Sequence, residues 1–254
     1  MGTKVAFVSS FAGSSAYIAA LLGPNLPFTP LVIADKVGAD IFRARGCPID
    51  RDLTGRVIAA ADIIDAERPA LVFAVSQFPQ SIEKSFLAEA RRRKIPSISA
   101  IDHWSFYAER FSETVNSVIM RPNSYLPDSI IVNDEVARRG AVDAGLPAAL
   151  LYALGNPVLE ATQRAAQADV ASKEAPSAKP LITFISENFE DFSKAGAHML
   201  TFTEHMVLGD ILQAAGNECD VQIKLHPAED PAKYASHRGL RIVRDMTPAR
   251  IACE

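Results

Sequence analysis

Two short clusters hold the residue types that do chemistry in this chain. The first is Asp102-His103-Trp104, which joins a carboxylate, an imidazole and the single tryptophan of the sequence. A carboxylate there could act as general base toward a hydroxyl, or orient a sugar by accepting its hydroxyl hydrogens. Tyr107, Arg110 and Phe111 follow within two helical turns. Arg110 offers a hold for an anion, or else pairs with Glu109 or Glu113. A plainer account makes Asp102 the N-cap of a helix over 104–111 and His103 a surface residue. The second cluster is Lys224-Leu225-His226-Pro227. Val221, Ile223 and Leu225 share one face of a strand. Pro227 lacks an N–H and ends the ladder. An ammonium and an imidazole at a strand end suit an anionic ligand such as a phosphate. The bland alternative is a strand end with a surface histidine.

Lesser signals surround these two. Ser9-Ser10-Phe11-Ala12-Gly13-Ser14-Ser15 fills the first strand-to-helix turn. Backbone N–H groups at such a helix start favour an anion or a polar substrate edge, with Gly13 and Ser14 closest to it. The turn is neither GxGxxG nor GxxxxGK[ST], so no dinucleotide or P-loop site follows. A tight turn of small residues explains it equally well. Gly155-Asn156-Pro157 has the make-up of a chain exit: Gly allows positive φ and Pro fixes the next step. Asn156 is also a candidate for lining a ligand site. Ser186-Glu187-Asn188 repeats the pattern of polar residues after a strand, and Glu187 either faces a ligand or caps a helix. His205 reads as a surface or capping residue, and His198 and His237 lie in loop-like surroundings.

The elements that must position these residues alternate along the chain. Strands are expected at Lys4–Ser9, Leu31–Ala34, Leu71–Val75, Pro96–Ile101, Ser129–Val132 and Leu150–Leu154. Helices are expected at Ala16–Leu22, Leu53–Arg68, Ser81–Lys94 and Asp134–Ala144, the last closed by Gly145. Between Asp35 and Asp52 the pattern predicts a long loop with a short helix. Alternation of this kind implies right-handed βαβ units and a parallel sheet. Residues 1–160 therefore read as one doubly wound domain. Residues 161–180, rich in Ala, Gln, Ser and Lys and holding Pro176 and Pro180, read as a linker. Residues 181–254 read as a second Rossmann-like unit, with strands Leu181–Ile185, Val221–Leu225 and Leu240–Val243, a helix Phe202–Ala215, and a helix start at Met246-Thr247-Pro248. Three strands and two partial helices make a small unit, and a ~75-residue parallel unit buries little surface. The expectation is a second domain that is incomplete, in a chain cut short at its C-terminus.

Bulk properties exclude some classes. The chain has 254 residues, 48% hydrophobic and 22% charged, with net charge −4. A slightly acidic chain has no general affinity for nucleic acid. The basic run Arg91-Arg92-Arg93-Lys94 ends a helix, where it complements the dipole and solvates a face. Cys47, Cys219 and Cys253 are dispersed, without ligand spacing, so neither a metal site nor a disulfide framework is indicated. A reducing cytoplasm is the simplest location. No apolar stretch reaches the ~18–20 residues that span a bilayer, though a peripheral place at a membrane is compatible with the sequence.

Taken together, Ile101-Asp102-His103-Trp104, Arg110-Phe111, Pro127-Asp128-Ser129-Ile130-Ile131-Val132, Gly155-Asn156-Pro157 and Lys224-Leu225-His226-Pro227 resemble the GT-B-type glycosyltransferases of bacterial surface polysaccharide synthesis. The related nucleotide-sugar 2-epimerases share that two-Rossmann architecture. The resemblance implies an N-terminal domain that receives a glycan acceptor and a C-terminal domain that binds a nucleotide-sugar donor. It implies that His226 and Pro227 lie near the donor phosphates, with Lys224, and that Asp102 or His103 is the base. It also implies metal-independent chemistry with no cofactor beyond the donor. An epimerase or hydrolase of the same fold is the alternative. A non-catalytic two-lobed protein that closes on a small polar ligand is a third.

Overall fold

Both faces of the first sheet are apolar, and this dictates its layers. In a computed structural model the chain divides into two compact units, Met1–Ala161 and Thr162–Glu254. It describes residues 2–56, 58–77, 81–116, 118–169, 179–190, 201–226, 229–237 and 239–244. Unit 1 holds strands β1 (Lys4–Ser9), β2 (Thr29–Ala34), β3 (Arg51–Asp52), β4 (Leu71–Ala74) and β5 (Ser97–Ile101), then a hairpin of β6 (Glu113–Val115) and β7 (Val118–Arg121), then β8 (Ser129–Val132) and β9 (Leu151–Ala153). Its helices are α1 (Ala12–Leu21), α2 (Lys36–Ala44), α3 (Ala60–Glu67), α4 (Ile82–Arg93), α5 (Glu135–Asp143) and α6 (Pro157–Asp169), the last crossing into unit 2.

Seven strands form one parallel sheet in the order β3-β2-β1-β4-β5-β8-β9. Alternate residues of each strand go to opposite faces. Val5, Phe7, Val32, Phe73 and Ala100 pack with Tyr17 and Ile18 of α1 and Phe42 of α2. Ala6, Val8, Leu31, Ile33 and Val72 pack with Ile63, Phe86, Leu87 and Ala137 of α3, α4 and α5. Continuous apolar strands are what a sheet covered on both faces requires. The winding direction reverses between β1 and β4. Their carboxyl ends therefore bound the crevice where ligands bind in such sheets.

Unit 2 carries β10 (Leu181–Ile185), α7 (Glu204–Ala215), β11 (Asp220–Lys224) and β12 (Arg241–Val243). The strands are parallel in the order β10-β11-β12, so β11, at the strand expected over Val221–Leu225, is the middle one. Its small core is Leu208, Ile223, Leu225 and Tyr234, with Phe184, Leu212, Val221 and Leu240 against it. The two-unit Rossmann-like α/β architecture is the one expected. The helix start expected at Met246-Thr247-Pro248 lies outside the described residues. Among the described residues no helix is long and apolar enough to cross a membrane.

Three elements depart from expectation for local reasons. Helix α1 begins at Ala12, so Gly13, Ser14 and Ser15 form its first turn rather than a loop. Their small size is used in packing. A Cβ on Gly38 of α2 would stand 2.8 Å from Ser15 Oγ, 2.9 Å from Ser9 O and 3.0 Å from Ser10 Cα. Helix α3 starts at Ala60 instead of Leu53, because Gly55 sits at φ +70° in a turn closed by Arg56 N–H donating to Leu53 O. Leu53 is buried by that turn. The segment after Asp102 is a loop with one 3-10 turn at Glu109–Phe111, not a helix over 104–111.

Gly38→Ala should cost about 1–3 kcal/mol of stability, because the added methyl meets backbone that cannot move aside. Gly23→Ala, with nothing within 4 Å of its Cβ, should be near neutral. Urea unfolding followed by circular dichroism compares the two.

Candidate functional site

The carboxyl edge of unit 1 is built around Asp102, the residue after β5. Arg110 Nη1 donates to Asp102 Oδ1 at 3.0 Å and to the carbonyl of Ser76, at the end of β4, at 2.8 Å. Gln77 Nε2 donates to the same carboxylate at 3.1 and 3.2 Å. Ser76 Oγ donates back to Arg110 O at 2.8 Å. On the opposite side Asp102 Oδ2 lies against α1: a Cβ on Gly13 would be 2.9 Å from it. The carboxylate thus faces a helix N-terminus, where the dipole favours negative charge. Burial lowers the Arg110 pKa, and Asp102 opposes the shift. Arg110 was a candidate for an anion or for pairing with Glu109 or Glu113; its ion pair is with Asp102. Tyr17, buried beneath, has its pKa pushed up to about 12 by burial, then by the charges of Asp102 and Glu160.

A second carboxylate controls the β1–α1 turn. Glu83, in the first turn of α4, is fully buried. It accepts from Ser10 N–H at 2.7 Å and from Ser10 Oγ at 2.9 and 3.1 Å. Burial raises its pKa, against the pull of those donors. Ser14 is buried, with its hydroxyl bonded to Ser9 Oγ at 2.8 Å and Phe11 O at 3.0 Å. Asn156 Nδ2 reaches Asp102 O at 3.4 Å and Asn133 Oδ1 at 3.2 Å, and Asn156 Oδ1 accepts from Val158 N–H at the start of α6. Gly155 before it has φ +93°. His103 is exposed, with Nδ1 2.9 Å from Ser105 Oγ. Trp104 is 44% exposed and donates its indole N–H to Asp134 Oδ2 at 3.0 Å. Unit 1 therefore brings Gly13, Asp102, Arg110 and Asn156 into direct proximity or contact, with His103 and Trp104 next along the chain.

In unit 2 the organising group is Glu229, which sequence reasoning missed as a site residue. It is buried. One oxygen accepts from His226 N–H at 2.9 Å, and Glu229 N–H donates to His226 O at 3.0 Å. The other accepts from Ser186 Oγ at 3.0 Å, Tyr234 OH at 2.9 Å and Lys233 Nζ at 3.1 Å. Lys233 also pairs with buried Glu204 and donates to Asn188 Oδ1 at 2.9 Å. Burial alone would raise the Glu229 pKa; the His226 N–H, Tyr234, Lys233 and Ser186 outweigh it and lower it. Burial works against the charge of Lys233, but its bonds to Glu204 and Glu229 raise its pKa. A short-range signal for Glu229 existed: it stands three residues after His226, the spacing that lets a carboxylate close a turn on a backbone N–H. Glu204, 25 residues upstream by sequence numbering, gave none.

Lys224 ends β11 and donates to Leu225 O at 2.6 Å, and His226 is half-buried at the same edge. Glu187 is exposed one residue beyond Ser186. Pro227 lies outside the described residues. Among the described residues no group of three or more His, Cys, Asp or Glu could hold a metal ion.

No protein-family profile and no curated protein sequence matches the chain. Solved structures do. A UDP-GlcNAc 2-epimerase of Neisseria meningitidis bound to UDP-GlcNAc is 12% identical with a TM-score of 0.63, over 98% of this chain and 74% of that one. A Staphylococcus aureus MnaA–UDP co-structure is 11% identical with a TM-score of 0.63, over 99% of this chain and 71% of that one. The Anabaena protein HepE, in complex with UDP and glucose, is 12% identical with a TM-score of 0.60, over 100% and 72%. At this identity the likeness shows the fold.

Lys233→Met should destabilise unit 2 by about 3–5 kcal/mol, because it leaves buried carboxylates without their countercharge. The folded pKa of Glu229 lies below its unfolded value near 4.5. Its contribution is present above that pH and is lost as pH falls through the folded value. The loss in Lys233→Met should therefore be full at neutral pH and shrink below pH 4.5, read by thermal unfolding across pH.

Proposed function

We propose that this chain binds a nucleotide-sugar and acts on its sugar as an epimerase. Within unit 2, Lys224 and His226 suit phosphates, and within unit 1, Asp102 and His103 suit a sugar. The observation that carries the reading is likeness over 98–99% of the chain to structures that hold UDP or UDP-GlcNAc. Local electrostatics supports the division. In unit 1 the two natural anion sites of a first βα turn are already taken by the protein's own carboxylates. Asp102 faces the N-terminus of α1, and Glu83 holds the Ser10 N–H. A phosphate there would meet like charge at close range. At the β11 edge of unit 2, Lys224 and His226 supply a cation and an imidazole, and Glu229 fixes the His226 backbone.

Epimerisation next to the anomeric carbon balances as elimination and re-addition. A base takes the C2 proton, the C–H pair forms a C1=C2 double bond as the C1–O bond breaks, and the nucleotide diphosphate leaves; the diphosphate then adds back at C1 while a proton returns to C2 on the opposite face. A side chain that can both take and give a proton suits that exchange. His103 is exposed and fits the role of base. Asp102, its oxygens engaged by Arg110 and Gln77, is better suited to orient a hydroxyl than to take its proton. Transfer to a glycan acceptor, or hydrolysis, is the second reading. One observation favours it: the Anabaena structure holds UDP and glucose. The finer expectation of polysaccharide synthesis rests on the sequence resemblance alone.

Calorimetry should detect binding of UDP and UDP-GlcNAc, and His226→Ala should weaken it by about tenfold or more. Unchanged affinity removes His226 from the phosphate role. His103→Ala should lower turnover by about 10²–10⁴-fold with affinity little changed. Proton NMR of incubated UDP-GlcNAc separates the readings: the C2 epimer supports epimerisation, free sugar supports hydrolysis, and a glycoside formed with added acceptor supports transfer.

A further inference from the structure

We infer that the β6–β7 hairpin of unit 1 is a self-complementary contact through which two copies of this chain pair reversibly. The register sorts its side chains. Val115 lies opposite Val118, Thr114 opposite Ile119 and Glu113 opposite Arg121. Side chains alternate between faces along a strand. Thr114 and Ile119 therefore share one face, and Glu113, Val115 and Val118 the other. Thr114 is buried and Ile119 half-buried, so their face is turned toward the body of the unit. The opposite face stands in solvent: Val115 is 54% exposed and Val118 61%, with Met120 59% exposed next along β7. Among the described residues the hairpin is a sheet of two strands only. Two strands alone are marginal in water, so covering this apolar face stabilises the hairpin.

Charge decides what covers it. At the base of the hairpin Arg121 Nε stands 3.5 Å from Glu113 Oε2, with side chains 78% and 40% exposed. A pair this exposed contributes little by itself, but it sets an anion on β6 beside a cation on β7. Two hairpins packed face to face about a two-fold axis along their length lay β6 of one copy on β7 of the other. Glu113 of each copy then meets Arg121 of the other, and Val115 meets Val118. An axis across the strands would lay Glu113 on the other copy's apolar tip instead. Other occupants fit less well. The register skips Met120 between Ile119 and Arg121, and this bulge blunts the edge of β7 against an added peptide strand. An anionic bilayer would meet a chain of net charge −4. Strands of three and four residues make a small contact. It falls below the roughly 1,000 Å² of a lasting interface, so the pairing is reversible, with Kd on the order of 10–100 µM.

Sedimentation velocity of the full chain from about 5 to about 500 µM tests this. A concentration-dependent shift to twice the monomer mass is expected. Val118→Lys, with native circular dichroism, should weaken the association about tenfold or more. Glu113→Arg and Arg121→Glu give the sharper test. Each alone sets like charges against each other across the axis and should stay monomeric. Mixed in equal amounts, they restore both unlike pairs and should form a heterodimer, followed by a fluorescent label on one of them. A residue that merely supports the fold would not be rescued in trans. Wild-type chain that stays monomeric at the highest concentration overturns the proposal. So does a dimer that survives Val118→Lys, or a mixture that stays monomeric while the wild type dimerises. Capture of monomeric chain by neutral phosphatidylcholine vesicles, lost in Val118→Lys, gives the face to lipid and overturns it also.

Discussion

A carboxylate held against a helix N-terminus sets the geometry of unit 1. Asp102 could not be kept at this edge without Arg110, and Arg110 could not be buried without Asp102. Each charge answers the other, because an unpaired buried charge costs far more than the pair returns. The pair also fixes chain paths. Arg110 reaches Ser76 at the end of β4, and Gln77 completes the carboxylate's shell. Gly13 leaves room for Asp102 Oδ2, so α1 joins the same arrangement. The crevice between β1 and β4 is therefore walled by a network that fixes loop 103–111 as well.

Unit 2 solves the same problem with a different carboxylate. Glu229 gathers the end of β10 through Ser186, the turn after β11 through the His226 N–H, and the short helix Pro231–Tyr234 through Lys233 and Tyr234. Among the described residues its main apolar cluster is Leu208, Ile223, Leu225 and Tyr234. Polar cross-linking at the strand edge does for this unit part of what a larger apolar core does for unit 1. Hydrogen bonds to a charged acceptor are stronger than neutral ones, so one buried carboxylate can organise three segments.

The two units differ in the chemistry of their strand edges. Unit 1 presents acceptors and an indole ring, while unit 2 presents an ammonium and an imidazole beside a fixed turn. Structures that share the fold hold UDP-GlcNAc, UDP, or UDP and glucose. The edges, rather than the fold, decide which chemistry follows.

Much of the architecture was legible in the sequence, since short apolar runs alternating with amphipathic segments admit few arrangements other than parallel βαβ layers. Strands Lys4–Ser9 and Ser129–Val132 have the same bounds in sequence and structure, and the middle position of the strand expected at Val221–Leu225 followed from its place in the second unit. The helix bounds were less legible. Gly55 at positive φ ended what periodicity alone would extend, and Gly13-Ser14-Ser15 form the first turn of α1, where Gly13 lies against Asp102 and Ser15 against Gly38. Residue type and strand-end position single out Asp102, His103, Trp104 and His226 as candidates. Their partners were not visible. Arg110 offered local partners at Glu109 and Glu113, yet paired with Asp102 across a loop. Glu83 meets Ser10 from 73 residues away, and Glu204 meets Lys233 from 29. Sequence by itself determined which groups stand at strand ends, because that depends on local periodicity. Only the tertiary structure decided which charges are spent on each other and which face outward, because that depends on distances between segments far apart in the chain.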